Sequence, residues 1–260
     1  MITLYLKHCV VGTPFETPLR GLKYQLDRSR RRRSPGLERL AEEDRWIDSI
    51  IDRELGTGDV AIDVGSHLGS MVGMMLRRVR DGRVHAIEPD AQKAGWLRKK
   101  FPSAKVHCCA VGDEPGTAKF FVHRKKRGFS GLQKHGPAGG HDQREVRVER
   151  LDDLLADESK LKLIKIDIEG GELGAFRGAV RTLARCRPLV VFECTLSGME
   201  AFGYTSEDMW DFWTDQGYTL AFLEDYLQDR DDRIDRAGFA AAHVYPWRAF
   251  NFVAVPGPTS

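Results

Sequence analysis

The sequence predicts an α/β protein whose open, mostly parallel sheet carries helices on both faces. Short apolar runs alternate with helical stretches from residue 59 to the C-terminus, which is typical of such sheets. Acidic residues follow several of the apolar runs, where the carboxyl ends of parallel strands would lie. The 260 residues suffice for one domain with its own core, and a composition of 42% hydrophobic and 30% charged residues argues against disorder along the whole chain.

The chain starts with a stretch that we expect to be irregular and basic. Two Thr-Pro pairs precede a run of arginines, Arg28 and Arg30 to Arg33, which we call the arginine run. From Leu37 to Leu55, apolar residues recur at helical spacing, which predicts an amphipathic helix. We therefore divide the sequence into a basic N-terminal arm at residues 1–36 and a single domain at residues 37–257.

The domain alternates strands and helices in a regular order. Strands are predicted at Asp59–Val64, Arg83–Ile87, Lys105–Val111, Leu161–Ile168, Leu189–Cys194, Tyr218–Leu223 and Ala249–Val255. Helices are predicted at Ser70–Arg80, Ala91–Lys100, Glu172–Ala184 and Ser206–Gln216. The order breaks at residues 116–150, where two strand-like segments enclose a glycine-rich stretch at 128–142. We interpret residues 116–150 as a β-hairpin and loop insert that could close over a substrate as a lid.

Charge and cysteine usage limit the protein's location and partners. A net charge of +2 does not by itself indicate a polyanionic partner. The five cysteines contain no Cys-x-x-Cys pair, so we predict reduced thiols in a cytoplasmic protein. We expect no signal peptide, because Met1 to Phe15 has no basic segment before an apolar core and Lys7 interrupts it. We expect no membrane span, because no apolar run approaches roughly 18 residues. The sequence does not indicate an oligomeric state.

A glycine turn follows the first predicted strand, in the run Asp63-Val64-Gly65-Ser66-His67-Leu68-Gly69. A strand, a glycine turn and a helix start together aim backbone N–H groups at a ligand. The run lacks the Gly-x-Gly-x-x-Gly pattern of dinucleotide-binding turns, since His67 stands at the second glycine position. The chain also lacks a Gly-x-x-x-x-Gly-Lys phosphate loop.

Carboxylates also end three other predicted strands. Glu88 follows the second strand, 25 residues after Asp63, where it could accept hydrogen bonds from both hydroxyls of a ribose or simply be an exposed acid. Lys165 and Asp167 share one face of a later strand, so they either pair with each other or stand exposed at the edge of the sheet. The row at this edge consists of Asp63, Glu88, Asp167, Glu169 and Glu193. Such a row would repel a nucleoside triphosphate but would suit a ligand that carries an ammonium, a sulfonium and a diol, as S-adenosylmethionine does.

The ordered series of motifs resembles the FkbM family of S-adenosylmethionine-dependent methyltransferases. The matching runs are Ala61-Ile62-Asp63-Val64-Gly65-Ser66-His67-Leu68-Gly69, Ile87-Glu88-Pro89, Ala110-Val111-Gly112-Asp113, Val148-Glu149-Arg150-Leu151-Asp152-Asp153-Leu154-Leu155, Ile164-Lys165-Ile166-Asp167-Ile168-Glu169-Gly170-Gly171-Glu172 and Phe192-Glu193. The chain departs from the family at His67, where Asn is more frequent, and at Gly171, where Ala is frequent.

The resemblance implies a Rossmann-like class I methyltransferase fold and transfer of a methyl group to a hydroxyl of a sugar, glycan or polyketide-type natural product. Three groups of residues would hold the cofactor. By position in the family, Asp63, Gly65, Ser66 and His67 would surround the methionine portion, Glu88 and Pro89 the ribose, and Asp90, Ala110 and Val111 the adenine.

An alcohol acceptor needs help to lose its proton, from a general base or from a bound divalent cation such as Mg²⁺. Asp167, Glu193 and Glu169 are the candidate catalytic residues, and Asp167 and Glu193 are also the candidate metal ligands. Two other functions stay open: an NAD-dependent oxidoreductase that uses Glu88 on the ribose, and a non-catalytic binding protein.

The acceptor itself is not identified by the sequence. The arginine run could bind an anionic group on a substrate or carrier, while no motif favours a nucleic acid partner. The aromatic residues that could line an acceptor pocket are Phe202, Tyr204, Trp210, Trp213, Tyr218 and Trp247, although Trp210 and Trp213 at helical spacing are more typical of a core.

Overall fold

The computed structural model describes residues 10–13, 15–26, 34–123, 131–133, 140–230 and 232–258. The helices are α1 (Glu16–Leu26), α2 (Pro35–Glu54), α3 (Ser70–Val79), α4 (Ala91–Lys100), α5 (Leu151–Leu154), α6 (Glu172–Arg177), α7 (Val180–Cys186), α8 (Leu196–Phe202), α9 (Ser206–Asp215), α10 (Leu223–Leu227) and α11 (Arg236–Ala242). The strands are β1 (Val60–Val64), β2 (Arg83–Ile87), β3 (Lys105–His107), β4 (Ala110–Val111), β5 (Gly116–His123), β6 (His141–Glu149), β7 (Leu161–Ile166), β8 (Leu189–Glu193), β9 (Tyr218–Phe222) and β10 (Asn251–Pro256).

Seven strands form the main sheet, in the order β3-β2-β1-β7-β8-β10-β9. The first five run parallel to one another, and β10 lies antiparallel between β8 and β9. From β1 the chain adds β2 and β3 on one side, and it then returns to add β7 on the other side of β1. This reversal places the carboxyl ends of β1 and β7 side by side. The predicted mostly parallel α/β fold is confirmed, and the crevice at this reversal is where open sheets bind ligands.

Each face of the sheet has its own core, because successive residues of a buried strand point to opposite sides. Ile62 and Ile164 pack with side chains from helices α6, α7, α9 and α11. Ala61 and Leu163 pack on the other face with side chains from helices α2, α3, α4 and α10. Helices therefore cover both faces, as predicted.

A second sheet, in the order β4-β6-β5, lies beside the main one. β5 and β6 form the predicted hairpin insert, and most of the glycine-rich stretch that we interpreted as a lid lies outside the described residues. The single strand predicted at Lys105–Val111 is wrong. β3 pairs with β2, whereas Ala110 and Val111 turn away to pair with Val148 and Glu149, so one continuous strand cannot serve both sheets.

The helix predicted at Glu172–Ala184 is broken into α6 and α7 at Gly178. A Cβ atom on Gly178 would lie 2.1 Å from the carbonyl oxygen of Gly112, so the chain here touches the backbone of the second sheet. Asp152 then starts α7 by accepting hydrogen bonds from the N–H groups of Arg181 and Thr182, at 3.0 and 2.6 Å. A long-range contact thus overrides the local helical pattern.

The prediction of an irregular arm is wrong for residues 16–26, which form helix α1. Pro18 belongs to the first turn, where proline is tolerated because the N–H groups of that turn have no partner within the helix. The arginine run lies outside the described residues. Within the described ranges, no helix is long and apolar enough to cross a membrane.

Candidate active site

A cleft of about 340 Å³ opens at the carboxyl ends of β1, β2 and β7, and the second sheet forms one of its walls. Eight of the predicted site residues line it: Gly65, His67, Glu88, Pro89, Ala110, Val111, Asp167 and Glu169. The other four, Asp63, Ser66, Asp90 and Glu193, hold neighbouring positions described below. The sequence-based prediction thus converges on one cleft.

The glycine turn has a conformation that explains its residues. Gly65 has a φ of +84°, and a Cβ atom there would lie 2.0 Å from the carbonyl oxygen of Asp167, so only glycine fits. The N–H groups of Gly65 and Ser66 both donate to the Ile87 carbonyl at 3.0 Å. His67 has a φ of +48°, a conformation that Asn, Asp and His adopt more readily than other residues with side chains. The backbone here therefore accepts His where the family more often has Asn.

Glu88 is held from one side by the backbone of the turn. Its carboxylate, in a side chain that is almost fully buried, accepts hydrogen bonds from the N–H groups of His67 and Asp90, each at 2.9 Å. Burial raises the pKa of Glu88, and the Lys93 ammonium at 3.8 Å opposes that rise. Each carboxylate oxygen keeps a further lone pair, so Glu88 can accept two more hydrogen bonds from a ligand in the cleft.

Asp90 supports this arrangement rather than lining the cleft. It is the N-cap of helix α4, where it accepts from the Gln92 N–H at 2.8 Å, and it also pairs with Arg144 at 3.1 Å. Since Arg144 belongs to β6, Asp90 ties the second sheet to the main domain. The adenine contact that the resemblance implied for Asp90 stays a prediction.

Asp63 lies beneath the turn, opposite Lys165 in the register of β1 and β7. Burial raises the pKa of Asp63 to about 7, and the nearby Lys165 ammonium limits that rise. The Ser66 hydroxyl donates to the carbonyl oxygen of Asp63 at 2.7 Å and so closes the turn. Asp63 can therefore change its protonation state near neutral pH when a cation approaches.

Both alternatives that the sequence left open for Lys165 and Asp167 hold. The Lys165 ammonium lies 3.5 Å from a carboxylate oxygen of Asp167, which makes them an ion pair. Lys165 is nearly buried, whereas the Asp167 side chain is 47% exposed at the edge of the sheet. Asp167 is thus anchored by a buried cation while its carboxylate faces the cleft.

Two further acids lie behind Asp167. Glu172 accepts a hydrogen bond from the Ile168 N–H at 2.9 Å, and burial raises its pKa to about 7. Burial, together with the neighbouring Asp167 and Glu169 carboxylates, raises the pKa of Glu193 well above its usual range. The sequence-based interpretation did not assign a role to Glu172, although an acid at the start of a helix after two glycines was a usable signal.

Several side chains that line the cleft were missed by the sequence-based interpretation. Lys93 follows Glu88 by five residues and reaches back from the first turn of α4. Phe120 and Leu132 come from the insert and pack around Ala110, which gives the cleft an apolar wall. Helical periodicity could have indicated Lys93. The sequence suggested a lid at the insert, but no local pattern shows which of its side chains reach the cleft.

The aromatic residues predicted at an acceptor pocket separate into two groups and one exposed residue, Trp247. Trp213 and Tyr218 are buried in the core, and Trp210 packs against Phe239. Phe202 and Tyr204 line a second cavity, of about 320 Å³. Among the part of the chain that the structure describes, no group of three or more His, Cys, Asp or Glu side chains is arranged to hold a metal ion.

Comparison with known proteins agrees with the motifs. The methyltransferase FkbM domain matches residues 63–220. A curated relative, Methyltransferase 1 of Beauveria bassiana (strain ARSEF 2860), is 23% identical over 141 residues, which are 45% of this chain and 57% of that protein. The chain therefore matches little more than half the length of that relative.

Solved structures with related folds are more distant. The methyltransferase FkbM of Methylobacillus flagellatus KT is 19% identical with a TM-score of 0.44, over 76% of this chain and 43% of that one. An S-adenosylmethionine-dependent O-methyltransferase of Thermotoga maritima is 12% identical with a TM-score of 0.43, over 84% of this chain and 66% of that one.

The matched segment begins at Asp63 and ends within β9, so it includes the glycine turn, Glu88 and the acids around Asp167. Residues 63–220 are more than half of the 260-residue chain. The chain belongs to the FkbM methyltransferase family.

Proposed function

We propose that this protein is an S-adenosylmethionine-dependent methyltransferase that methylates a hydroxyl oxygen of a small molecule, such as a sugar, a glycan or a polyketide-type natural product. The observation that carries the proposal is the cleft at the carboxyl ends of β1, β2 and β7, which is lined both by Glu88, a carboxylate that can accept hydrogen bonds from a diol, and by the exposed acid Asp167. Membership of the FkbM family supports the same reaction class.

The residues of the cleft fit this cofactor. Glu88 can accept two hydrogen bonds from a ribose diol, because one backbone N–H donates to each of its carboxylate oxygens and leaves a further lone pair on each. Asp63 and Asp167 provide negative charge for an ammonium or a sulfonium group. Ala110, Val111 and Leu132 give an apolar wall that suits a flat base. When bound, S-adenosylmethionine supplies a methyl group on a positively charged sulfur.

In this proposal the chain's own contribution is alignment and proton removal. Holding two reactants in line can lower a barrier by roughly 7–11 kcal/mol. Asp167 is positioned to accept the proton of the acceptor hydroxyl, because Lys165 fixes its carboxylate at an exposed edge of the cleft. Glu169 also lines the cleft, and Glu193 lies behind Asp167 as a further acid.

Activation by a divalent cation is the other route to the same reaction. Asp167 and Glu193 are the two side chains that we expect to touch Mg²⁺ if the acceptor hydroxyl is activated that way. Turnover measured with EDTA and with added Mg²⁺ distinguishes the two routes, because only the metal route depends on the added ion.

A binding experiment tests the cofactor assignment. We expect calorimetric titration with S-adenosylmethionine to show a single site, and titration with NAD to show none. The oxidoreductase alternative requires the opposite result. Incubation with candidate acceptors should then release S-adenosylhomocysteine, whereas cofactor binding without release from any acceptor tested would favour the non-catalytic alternative.

We also propose a cytoplasmic location. The four cysteines in the described ranges, Cys108, Cys109, Cys186 and Cys194, are free thiols, and burial raises the pKa of Cys109 and of Cys194. Free thiols are typical of a reducing compartment. Labelling the native protein with a thiol reagent after expression in its own cell tests the prediction.

A further inference from the structure

A lysine stands beside the carboxylate that we expect to bind the ribose. Lys93 belongs to the first turn of helix α4, lines the cleft and is only 7% exposed. Its ammonium lies 3.8 Å from Oε1 of Glu88. Among the described residues that line the cleft, Lys93 is the only lysine or arginine. The described part of the cleft wall therefore carries one such cation, and that cation stands next to Glu88.

The contact between Lys93 and Glu88 is an ion pair and not a hydrogen bond, because 3.8 Å exceeds the distance at which an ammonium donates to an oxygen. Elsewhere in the described ranges, no oxygen accepts a hydrogen bond from this ammonium. An ammonium has three N–H donors, and burying such a group with its donors unfilled costs free energy. An oxygen of a ligand in the cleft could fill one of them.

The hydrogen bonds of Glu88 indicate which ligand atom could reach both side chains. Oε2 accepts from the His67 N–H and Oε1 from the Asp90 N–H, so each oxygen keeps a lone pair for one hydroxyl of a diol. A hydroxyl that donates its proton to a carboxylate keeps two lone pairs on its own oxygen, and these can accept from a second donor. The hydroxyl on Oε1 is the one beside Lys93, because Oε1 is the carboxylate oxygen paired with the ammonium.

We propose that Lys93 is a cofactor-binding residue that holds the ribose together with Glu88. Its ammonium donates to the oxygen of the hydroxyl that donates to Oε1 of Glu88, so that one hydroxyl is bound through both its proton and its oxygen. Lys93 also keeps Glu88 in the charged form that accepts from the diol. This inference rests on the proposed function, because it requires that the ligand of the cleft carries a ribose.

The surroundings of Glu88 make its charge sensitive to Lys93. Burial raises the pKa of Glu88, and the Lys93 ammonium is the largest influence that opposes this rise. Without Lys93, the carboxyl would bind a proton at a higher pH and would then accept the diol less well. The other charged residues and histidines that adjoin Glu88 or pair with its neighbours are Asp63 of β1, His67 of the glycine turn, Asp90 at the start of α4, His107 of β3 and Arg144 of β6.

Calorimetric titration of the full chain with S-adenosylhomocysteine at pH 8 and at pH 6 tests the proposal. We expect K93M to bind about tenfold more weakly than the wild type at pH 8, because it lacks a hydrogen bond from a charged donor. At pH 6 the ratio of the two dissociation constants should be larger by about threefold or more, because Glu88 is protonated more readily in K93M. Titration of Asp63 and His67 affects both proteins and cancels in this ratio. K93R keeps a cation with donors and should recover part of the affinity.

Ligands that lack one ribose hydroxyl distinguish a direct contact from a structural effect. The probes are the 2′-deoxy and 3′-deoxy analogues of S-adenosylhomocysteine. For one of them, loss of the hydroxyl should weaken binding to the wild type more than binding to K93M, by about threefold or more, because the two changes remove the same contact. K99M removes an exposed lysine from the last turn of the same helix and should bind like the wild type. Circular dichroism checks that the variants are folded, and K93Q takes the place of K93M if K93M is not.

Two results would overturn the role of Lys93. One is equal affinity of the wild type and K93M at both pH values. The other is a loss in K93M that is the same at both pH values and for all three ligands, because such a loss indicates that Lys93 only supports the fold. A wild type that does not bind S-adenosylhomocysteine at all would instead contradict the cofactor assignment itself, and the inference about Lys93 would be wrong with it.

Discussion

Among the acids at the carboxyl edge of the sheet, exposure distinguishes Asp167 from its buried neighbours. The Asp167 side chain is 47% exposed, whereas Glu172 and Asp63 are buried under the same edge. The position of each acid at a strand end could be predicted, because strand ends follow from apolar periodicity. Burial could not, because it depends on which helices and loops cover each strand end.

Replacing Asp167 by Asn tests its role as the base. The amide keeps the shape of the side chain but cannot accept the proton, so we expect kcat to fall by about 10²- to 10⁴-fold. Binding of S-adenosylmethionine should persist, since Glu88 and the glycine turn are unchanged. The measurements are release of S-adenosylhomocysteine and calorimetric affinity for the cofactor.

Glu114→Gln is the control for this change, because it removes an exposed acid just after β4, away from the residues that line the cleft. Its turnover should equal that of the wild type. Full turnover in Asp167→Asn with unchanged cofactor affinity would exclude Asp167 as the base and leave Glu169 and Glu193 as candidates.

At the scale of elements, local pattern predicted most strands but failed where distant segments meet. Gly178 divides α6 from α7 because its backbone touches Gly112, which lies 66 residues earlier in the chain. The chain also changes sheet after His107, because Ala110 pairs with Val148. Neither contact could be predicted from the apolar periodicity of the segment that it interrupts.

The contact at Gly178 predicts that alanine lowers the stability of the protein at position 178 but not at position 174. Gly178→Ala would place a Cβ atom 2.1 Å from the Gly112 carbonyl oxygen, so we expect the free energy of unfolding to fall by about 1–3 kcal/mol. Gly174→Ala, in the preceding helix, meets no atom within 4 Å and should be neutral or stabilising by up to about 1 kcal/mol. Urea unfolding of both variants measures the difference. Equal changes in the free energy of unfolding would show that the contact between Gly178 and Gly112 does not require glycine at position 178.

For the whole molecule, alternation of strands and helices predicted a mostly parallel sheet, but not the order of its strands. β10 inserts antiparallel between β8 and β9, and this fixes Asn251 opposite Glu193. Glu43 of α2 accepts hydrogen bonds from the N–H groups of Phe250 and Asn251, both at 3.0 Å. The first long helix thus secures the last strand, a contact over two hundred residues apart that no sequence window contains.

Two buried side chains, His243 and Glu172, make the stability of the folded protein depend on pH in opposite directions. Burial lowers the pKa of His243 to about 4, so its unfolded form binds a proton first and stability falls as the pH drops from about 6.5 to about 4. Burial raises the pKa of Glu172 to about 7, so its folded form keeps a proton longer and stability falls as the pH rises from about 4.5 to about 7. The two effects partly cancel in the wild type, and single variants separate them.

Glu172→Gln keeps an oxygen that can accept from the Ile168 N–H but removes the titration. At about pH 8 we expect it to be more stable than the wild type by up to about 3 kcal/mol, because the wild type must ionise a buried carboxyl there. At about pH 4 the two proteins should be nearly equal, because both side chains are then neutral. His243→Leu should show the opposite trend, with its largest relative gain in stability below about pH 5. Thermal unfolding of the three proteins across this range measures how the stability of each one depends on pH. Parallel stability curves for the wild type and Glu172→Gln would mean that Glu172 is ionised in the folded protein at neutral pH. Hydrogen bonds to the backbone at the start of α6 would then hold its carboxylate charged.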